Sequence, residues 1–401
     1  MSIVSSRKMT SQRRVFLIMS GSMALIFLVV LSIHGLCMAS QPVSMGKNEL
    51  IARFDHVDLA ANGGDGYSKS TNETGNLAWD ESLYLEAYLD MYEGTGNPKY
   101  LDKFVLHADR ILANTDKVRN IKDYKGRSLV GWCATKYNVD QVRVVYLVHT
   151  GMLVYPLIRF SSIIRKGDYS EKYRLAAIRY RKTSIEALSV FDHNWIYNQQ
   201  TKEGYYRFDA DEPKDILVMK DMPLPFNQQL AAGRALIILC RETGEKSYCE
   251  KASGLARHFK NRLQQDKNGA SIWHYWYDEG FKLYAAVEKY TYAAIDIDFA
   301  IMAQQNGMVF ELYDINGFLK TYHHNMFLNG EVATQVNGEG RGKNVILSGG
   351  WLDLSLYDCS IWEDWMNVQQ VSKSSDIGNL AKLIRYYDRC SRCFFKRVMT
   401  E

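Results

Sequence analysis

Glu288, Tyr290, Tyr292, Asp296 and Asp298 crowd into the phrase VEKYTYAAIDIDF, whose remaining residues are largely apolar. A carboxylate buried there without a partner would be costly, so each acid implies a neighbour or a task. A second group, Asn76, Trp79, Asp80 and Glu81, lies earlier in the chain. A third pair is Asn227 and Gln228. Two carboxyl groups brought together can divide acid and base roles between them. A tyrosine or histidine beside them can take either role. Asp80 and Glu81 are also well placed to favour a helix N-terminus, at ~0.3–1 kcal/mol each. On a helix, residues two apart point about 200° apart, so at most one of Asp296 and Asp298 faces a given cleft. Asp296, with Glu288, Asp80, Glu81 and Tyr292, is the expected catalytic set. Trp79, Asn76, Asn227, Gln228 and Trp276 are the expected binding set.

The elements that would hold these residues are visible as an internal repeat. Leu85–Asp116 and Gly233–Gln264 align at an offset of 148, matching Thr95-Gly96 to Thr243-Gly244 and Tyr100, Lys103 and Ala108 to Tyr248, Lys251 and Ala256. Each unit reads as helix, Thr-Gly stop, helix, the glycine supplying a left-handed cap. The likeness continues at an offset of 143, from Gly126, Ser128 and Leu129 to Gly269, Ser271 and Ile272, with aromatics following both. That same offset sets Leu153 and Tyr155 opposite Asp296 and Asp298, and His149 opposite Tyr292. The acids are therefore no requirement common to both halves. Further hairpins are predicted over 142–192 and 290–327, an inner helix over Trp351–Met366, and more helix over Val371–Phe395. The result is an all-α domain of about five or six helical hairpins with short β insertions. Irregular units joined by long loops at 113–138, 192–226 and 264–290 favour a closed α/α toroid over an open, peptide-binding solenoid.

The helix-TGxxxY-helix units, the aromatic loops and the Trp79-Asp80-Glu81 opening resemble the six-hairpin glycosidase-like superfamily over about residues 75–395. That resemblance implies a carbohydrate-active enzyme: a glycoside hydrolase, a polysaccharide lyase or a uronyl C5-epimerase. The implied partner is an oligo- or polysaccharide. Hydrolysis needs paired carboxylates, whereas lyases and epimerases abstract a proton beside a carboxylate, often with Tyr or His. The alternative is a non-catalytic protein that binds glycan or supports envelope assembly on the same scaffold.

The chain has 401 residues, 26 Tyr and 8 Trp. Arg7, Lys8, Arg13 and Arg14 precede an uncharged apolar run from Val15 to Met38. A basic flank before such a run predicts a signal peptide or signal anchor over 1–40, with the remainder extracytoplasmic. A linker is expected over 41–75 and the toroid over 76–401. The formal charge of +4 comes from 49 basic and 45 acidic residues. Residues 1–40 hold four basic and no acidic ones, so the remainder is formally neutral, which removes the electrostatic case for nucleic acid. An oxidising compartment permits disulfides. Cys240 and Cys249 flank a predicted helix turn, and Cys390 and Cys393 are spaced for a local bond or buried thiols. No metal set with recognisable spacing and no cofactor motif is found.

Overall fold

The computed structural model describes residues 45–209, 213, 219–277, 286–328, 331–341, 349–371 and 376–398. The hydrophobic segment expected over 1–40 lies outside them.

Helix α2 (Ser82–Thr95) continues a single π-helical turn over Leu77–Glu81 and stops where the sequence repeat says it should. Gly96 takes φ 68° and its N–H donates to Tyr92 O at 2.7 Å. The Thr95 hydroxyl donates back to Met91 O at 2.6 Å and accepts from Asn97 N at 3.1 Å. In the second unit α7 (Phe226–Thr243) ends at Gly244, φ 65°, bonded to Cys240 O at 2.8 Å. Thr243 repeats both hydroxyl bonds, to Leu239 O and from Glu245 N. The two Thr-Gly stops therefore end equivalent helices by one mechanism. The return helices, α3 (Lys99–Ala113) and α8 (Lys246–Lys260), also match. The second repeat segment folds alike in both halves: Gly126 and Gly269 turn at φ 78° and 75°, and the side chains of Asp123 and Asp266 cap the turns.

Other elements alternate in the same way. α4 (Asp116–Arg119) is one turn. Helices α5 (Leu147–Arg165) and α6 (Glu171–Ser189) form a hairpin, as do α9 (Tyr290–Gln305) and α10 (Leu312–Lys320). Three short antiparallel ribbons are inserted: β1 (Trp195–Tyr197) with β2 (Gly204–Tyr206), β3 (Gln264–Gln265) with β4 (Ser271–Ile272), and β5 (Phe327–Leu328) with β6 (Glu331–Val332). The inner helix expected over Trp351–Met366 is divided instead. A 3-10 segment, Gly349–Leu356, lies inside and α11 (Cys359–Val371) packs against it. Asp358 accepts from Ser360 N at 2.9 Å and so starts the new helix. The last helix is α12 (Ile377–Val398), begun by Asp376 accepting from Asn379 N.

Packing closes these elements into a ring. Among the described residues, α2 meets α5, α5 meets α7, α7 meets α9, α9 meets the 3-10 segment, that segment meets α12, and α12 returns to α2. An open solenoid is excluded. Inner helices pack tightly: a Cβ on Gly151 of α5 would fall 2.4 Å from Ala232 N of α7, and one on Gly94 of α2 2.8 Å from Ile384 O of α12. Helix α5 is long and apolar enough to cross a membrane, but nearly all of it is buried inside the ring. Asp90 of α2 ties the closing seam through Arg159 of α5 at 2.6 Å and Arg385 of α12 at 3.0 Å. Burial raises its pKa, but these cations and Lys382 outweigh it and hold the carboxyl well below its usual range.

The linker expected over 41–75 is, from Met45 onward, part of the domain. Residues 47–60 form α1, which buries Leu50, Phe54 and Asp58 at four-residue spacing and packs on α12. The sixth hairpin is thus assembled from the two ends of the described chain. Cys240 is bonded to Cys249, as expected, while Cys390 is bonded to Cys359 in place of a local partner.

Candidate active site

The N-terminal ends of the inner helices converge on one cleft. Trp79 stands in the π turn before α2, His149 at the start of α5, Asn227 and Gln228 at the start of α7, and Tyr292 at the start of α9. They line a cavity of about 610 Å³ with Tyr137, Tyr146, Tyr275 and Trp276. Gln228 Nε2 donates to the Tyr275 hydroxyl at 3.1 Å, and the rings of Tyr275 and Tyr292 are 5.6 Å apart. The edges of Trp79, Tyr137 and Tyr146 surround the His149 ring at 4.9–5.3 Å between centroids.

Trp79 and Tyr292 also line a second cavity of about 280 Å³, whose wall carries charge. There Arg234 of α7 donates to Asp298 Oδ2 of α9 at 2.9 Å and lies 3.3 Å from Glu86 Oε1 of α2. Its guanidinium covers the Tyr155 ring at 4.0 Å. Burial pushes the Glu86 pKa up, against the opposing pull of Arg234. The sequence repeat hides this pair in plain view: Glu86 and Arg234 are separated by the repeat offset, 148 residues. Opposite charges at one position of two equivalent inner helices were the available signal.

The expected cluster is only partly formed. Trp79, Asn227, Gln228, Trp276 and Tyr292 share the aromatic cavity. Asn76, whose side chain accepts from the Thr74 hydroxyl, lines neither cavity. Asp80 also lines neither cavity; it is half-buried, within electrostatic reach of Tyr137, its pKa raised by burial and pulled back by Lys136. Glu81 faces away, fully buried, accepting from Tyr67 N at 2.6 Å and paired with His107 Nδ1 at 2.6 Å. It fastens the loop before α2 to α3. Asp296 does not line the cleft either. It accepts from Trp273 Nε1 at 2.9 Å, outside the inner wall, and burial lifts its pKa to about 8. Glu288 is enclosed with it, its carboxyl raised by burial and then by Asp296. Only one of the two acids faces inward, as their spacing requires: it is Asp298, and it is ion-paired with Arg234.

A closed ring of six inner and six outer elements with an aromatic end cleft is the six-hairpin glycosidase-like fold. Among solved structures, the chain is similar to the family 76 α-1,6-mannanase of Salegentibacter sp. HEL1_6, with 13% identity over 86% of this chain and 99% of that one and a TM-score of 0.54. An inactive variant of that enzyme, with two consecutive aspartates replaced, is solved with α-1,6-mannotriose; it matches at 13% identity, 85% and 98% coverage, and a TM-score of 0.53. A family 76 glycoside hydrolase from a bovine Bacteroides thetaiotaomicron strain matches at 12% identity, 86% and 79% coverage, and 0.54. These likenesses establish the fold. No protein-family profile and no curated protein matches the chain.

Proposed function

We propose that this protein is an extracytoplasmic carbohydrate-active enzyme that holds an oligo- or polysaccharide in the aromatic cleft and cleaves a glycosidic bond there. The carrying observation is the cleft: tryptophan and tyrosine rings that can stack on sugar faces, with amide groups between them, at the end of a closed toroid. Asp80 is the proton donor in this reading. Its burial raises its pKa, as a general acid requires; it follows Trp79 of the wall in sequence and lies within electrostatic reach of Tyr137 of the lining. The solved mannotriose complex on the same fold supports a saccharide as ligand. Two disulfides support the export that the basic flank and apolar run predict, with the N-terminal segment as leader or membrane anchor.

A second reading, a glycan-binding protein without turnover, is favoured by one observation. Glu86, Asp90 and Asp298, the acids deepest in the charged cavity, are all engaged by Arg or Lys, whereas hydrolysis needs a second carboxylate able to attack or to activate water. Incubation with a panel of defined oligosaccharides, reading reducing ends released, separates the two. Asp80→Asn is expected to cut kcat by ~10²-fold or more while leaving ligand affinity within about threefold. Undiminished turnover in Asp80→Asn would remove Asp80 from the chemistry. Binding by the unaltered protein without any product would leave the second reading standing.

A further inference from the structure

We propose that His149 and Asn227 form a hydroxyl-reading pair in the aromatic cleft, and that this pair fits the cleft to an uncharged sugar residue and against a uronate. The inference rests on the saccharide reading above and assigns the residues that select within it.

The chain of hydrogen bonds behind His149 fixes what it can offer. Asn72 Oδ1 accepts from Ala78 N at 3.1 Å, and Asn72 Nδ2 donates to Trp132 O at 2.8 Å. A backbone N–H cannot accept and a carbonyl cannot donate, so the amide has one orientation. Its second N–H points at His149 Nδ1, 3.2 Å away. Nδ1 must therefore accept, which leaves the proton on Nε2. Burial holds the His149 pKa down to about 3, so the ring is neutral across the physiological range. His149 is a clamped neutral donor in the cavity wall.

Asn227 supplies the complement. It is 2% exposed, lines the same cavity, and its Oδ1 has no hydrogen-bond partner. A buried amide oxygen left unpaired costs roughly 1–3 kcal/mol, a debt a ligand can cancel. Sugar hydroxyls donate and accept, so a neutral sugar in this cavity can satisfy both groups. A carboxylate only accepts, so it could use His149 but would repel Asn227 Oδ1. It would also find no counter-ion in the wall: none of the described residues lining the aromatic cavity is Asp, Glu, Lys or Arg, and Lys136, 6.0 Å from the Tyr137 ring centroid, acts on Asp80. In the adjoining cavity Arg234 and Lys382 are already bonded to Asp298 and Asp353. Desolvating an anion there is unfavourable.

Calorimetric titration of the whole chain with α-1,6-mannotriose, trigalacturonate and tri-glucosamine tests this, beside ¹⁵N-resolved spectra of the histidines. The neutral trisaccharide is expected to bind at least ~10-fold more tightly than either charged one, and Asn227→Ala to weaken it by about tenfold. The His149 spectrum is expected to show protonated Nε2 without ligand. Equal or tighter uronate binding, or a proton on Nδ1, would overturn the pair while leaving a saccharide site in place. Tri-glucosamine binding tightest would replace the uncharged class with an amine. If none of several neutral and charged oligosaccharides binds, the saccharide reading itself falls. Asn227→Asp is the companion variant: it keeps an acceptor for a sugar hydroxyl, so retained folding with neutral-sugar affinity within about threefold of the unaltered protein is the expected result, and a loss as large as that of Asn227→Ala would overturn the acceptor role.

Discussion

Replacing Arg234 by methionine is expected to lower the stability of the fold by ~3–5 kcal/mol, the range for stripping one partner from a buried ion pair. Arg234 is 3% exposed and carries two carboxylates, Asp298 and Glu86, on one side of its guanidinium. Methionine fills much of the same space above Tyr155, so the loss comes chiefly from the stranded acids. Glu86, already raised by burial, would lose the opposing pull of Arg234 and rise further. The penalty should accordingly be small below about pH 4 and grow as the pH climbs past it. The triple variant Glu86→Gln, Arg234→Met, Asp298→Asn removes charge from every member and should recover most of the loss. Urea unfolding midpoints for the three proteins decide the matter. A single variant within ~1 kcal/mol of the unaltered protein would show that the cavity admits enough water to solvate the acids, and that Arg234 is dispensable to the fold.

Asp296→Asn is expected to do the opposite and stabilise the protein near neutral pH. Asp296 and Glu288 are enclosed together, with Asp296 Oδ1 and Glu288 Oε2 unpaired. Burial, and for Glu288 also the neighbouring Asp296, raises both pKa values. The sign follows directly. An acid that keeps its proton longer when folded contributes its stability fully below the unfolded pKa, near 4. That contribution is lost as the pH rises toward the folded value of about 8 for Asp296. Asparagine keeps an acceptor for Trp273 Nε1 and offers Glu288 a donor without titrating. The variant should gain on the order of 2–4 kcal/mol at pH 7.5 relative to the unaltered protein, and the gap should close by pH 4. Thermal melts at both values are the measurement. A lower Tm for the variant at pH 7.5 would mean that a cation partners Asp296.

The toroid was legible because its signals are local. A Thr-Gly stop is made by one hydroxyl and one left-handed residue, and it announces itself twice at a fixed offset. The cleft residues Trp79, Asn227 and Gln228 were legible because they open inner helices. The choice between Asp296 and Asp298 was not. Helix α9 packs on other elements on both its inner and its outer side, so its sequence is apolar all round and no stripe marks the inward face. Glu81 was misassigned for a related reason. Consecutive helical residues point about 100° apart, and the residue that claims Glu81 is His107, on the next helix. The first hairpin partner was hidden by its surroundings: α1 carries its stripe of Leu50, Phe54 and Asp58 in front of a glycine-rich loop that reads as linker.

The clasp between α1 and α12 sets an order of events in synthesis. Five hairpins are made of neighbouring segments and can assemble as each emerges, but the sixth joins Lys47 to Asp388, 341 residues apart. A chain that appears N-terminus first makes α1 long before α12; Tyr88 of α2 and Tyr100 of α3 can cover Phe54 early, but the face of α1 that meets α12 stays uncovered until α12 has been made. Ring closure is then the slow step, set by the entropy of a loop spanning nearly the whole domain. Pulse-labelled hydrogen exchange during refolding should find the amides of α1 and α12 protected together and after those of α7 and α8. Early protection of α1 alone would mean that it docks on α3 through the Asp55–Lys99 pair and waits there for its partner.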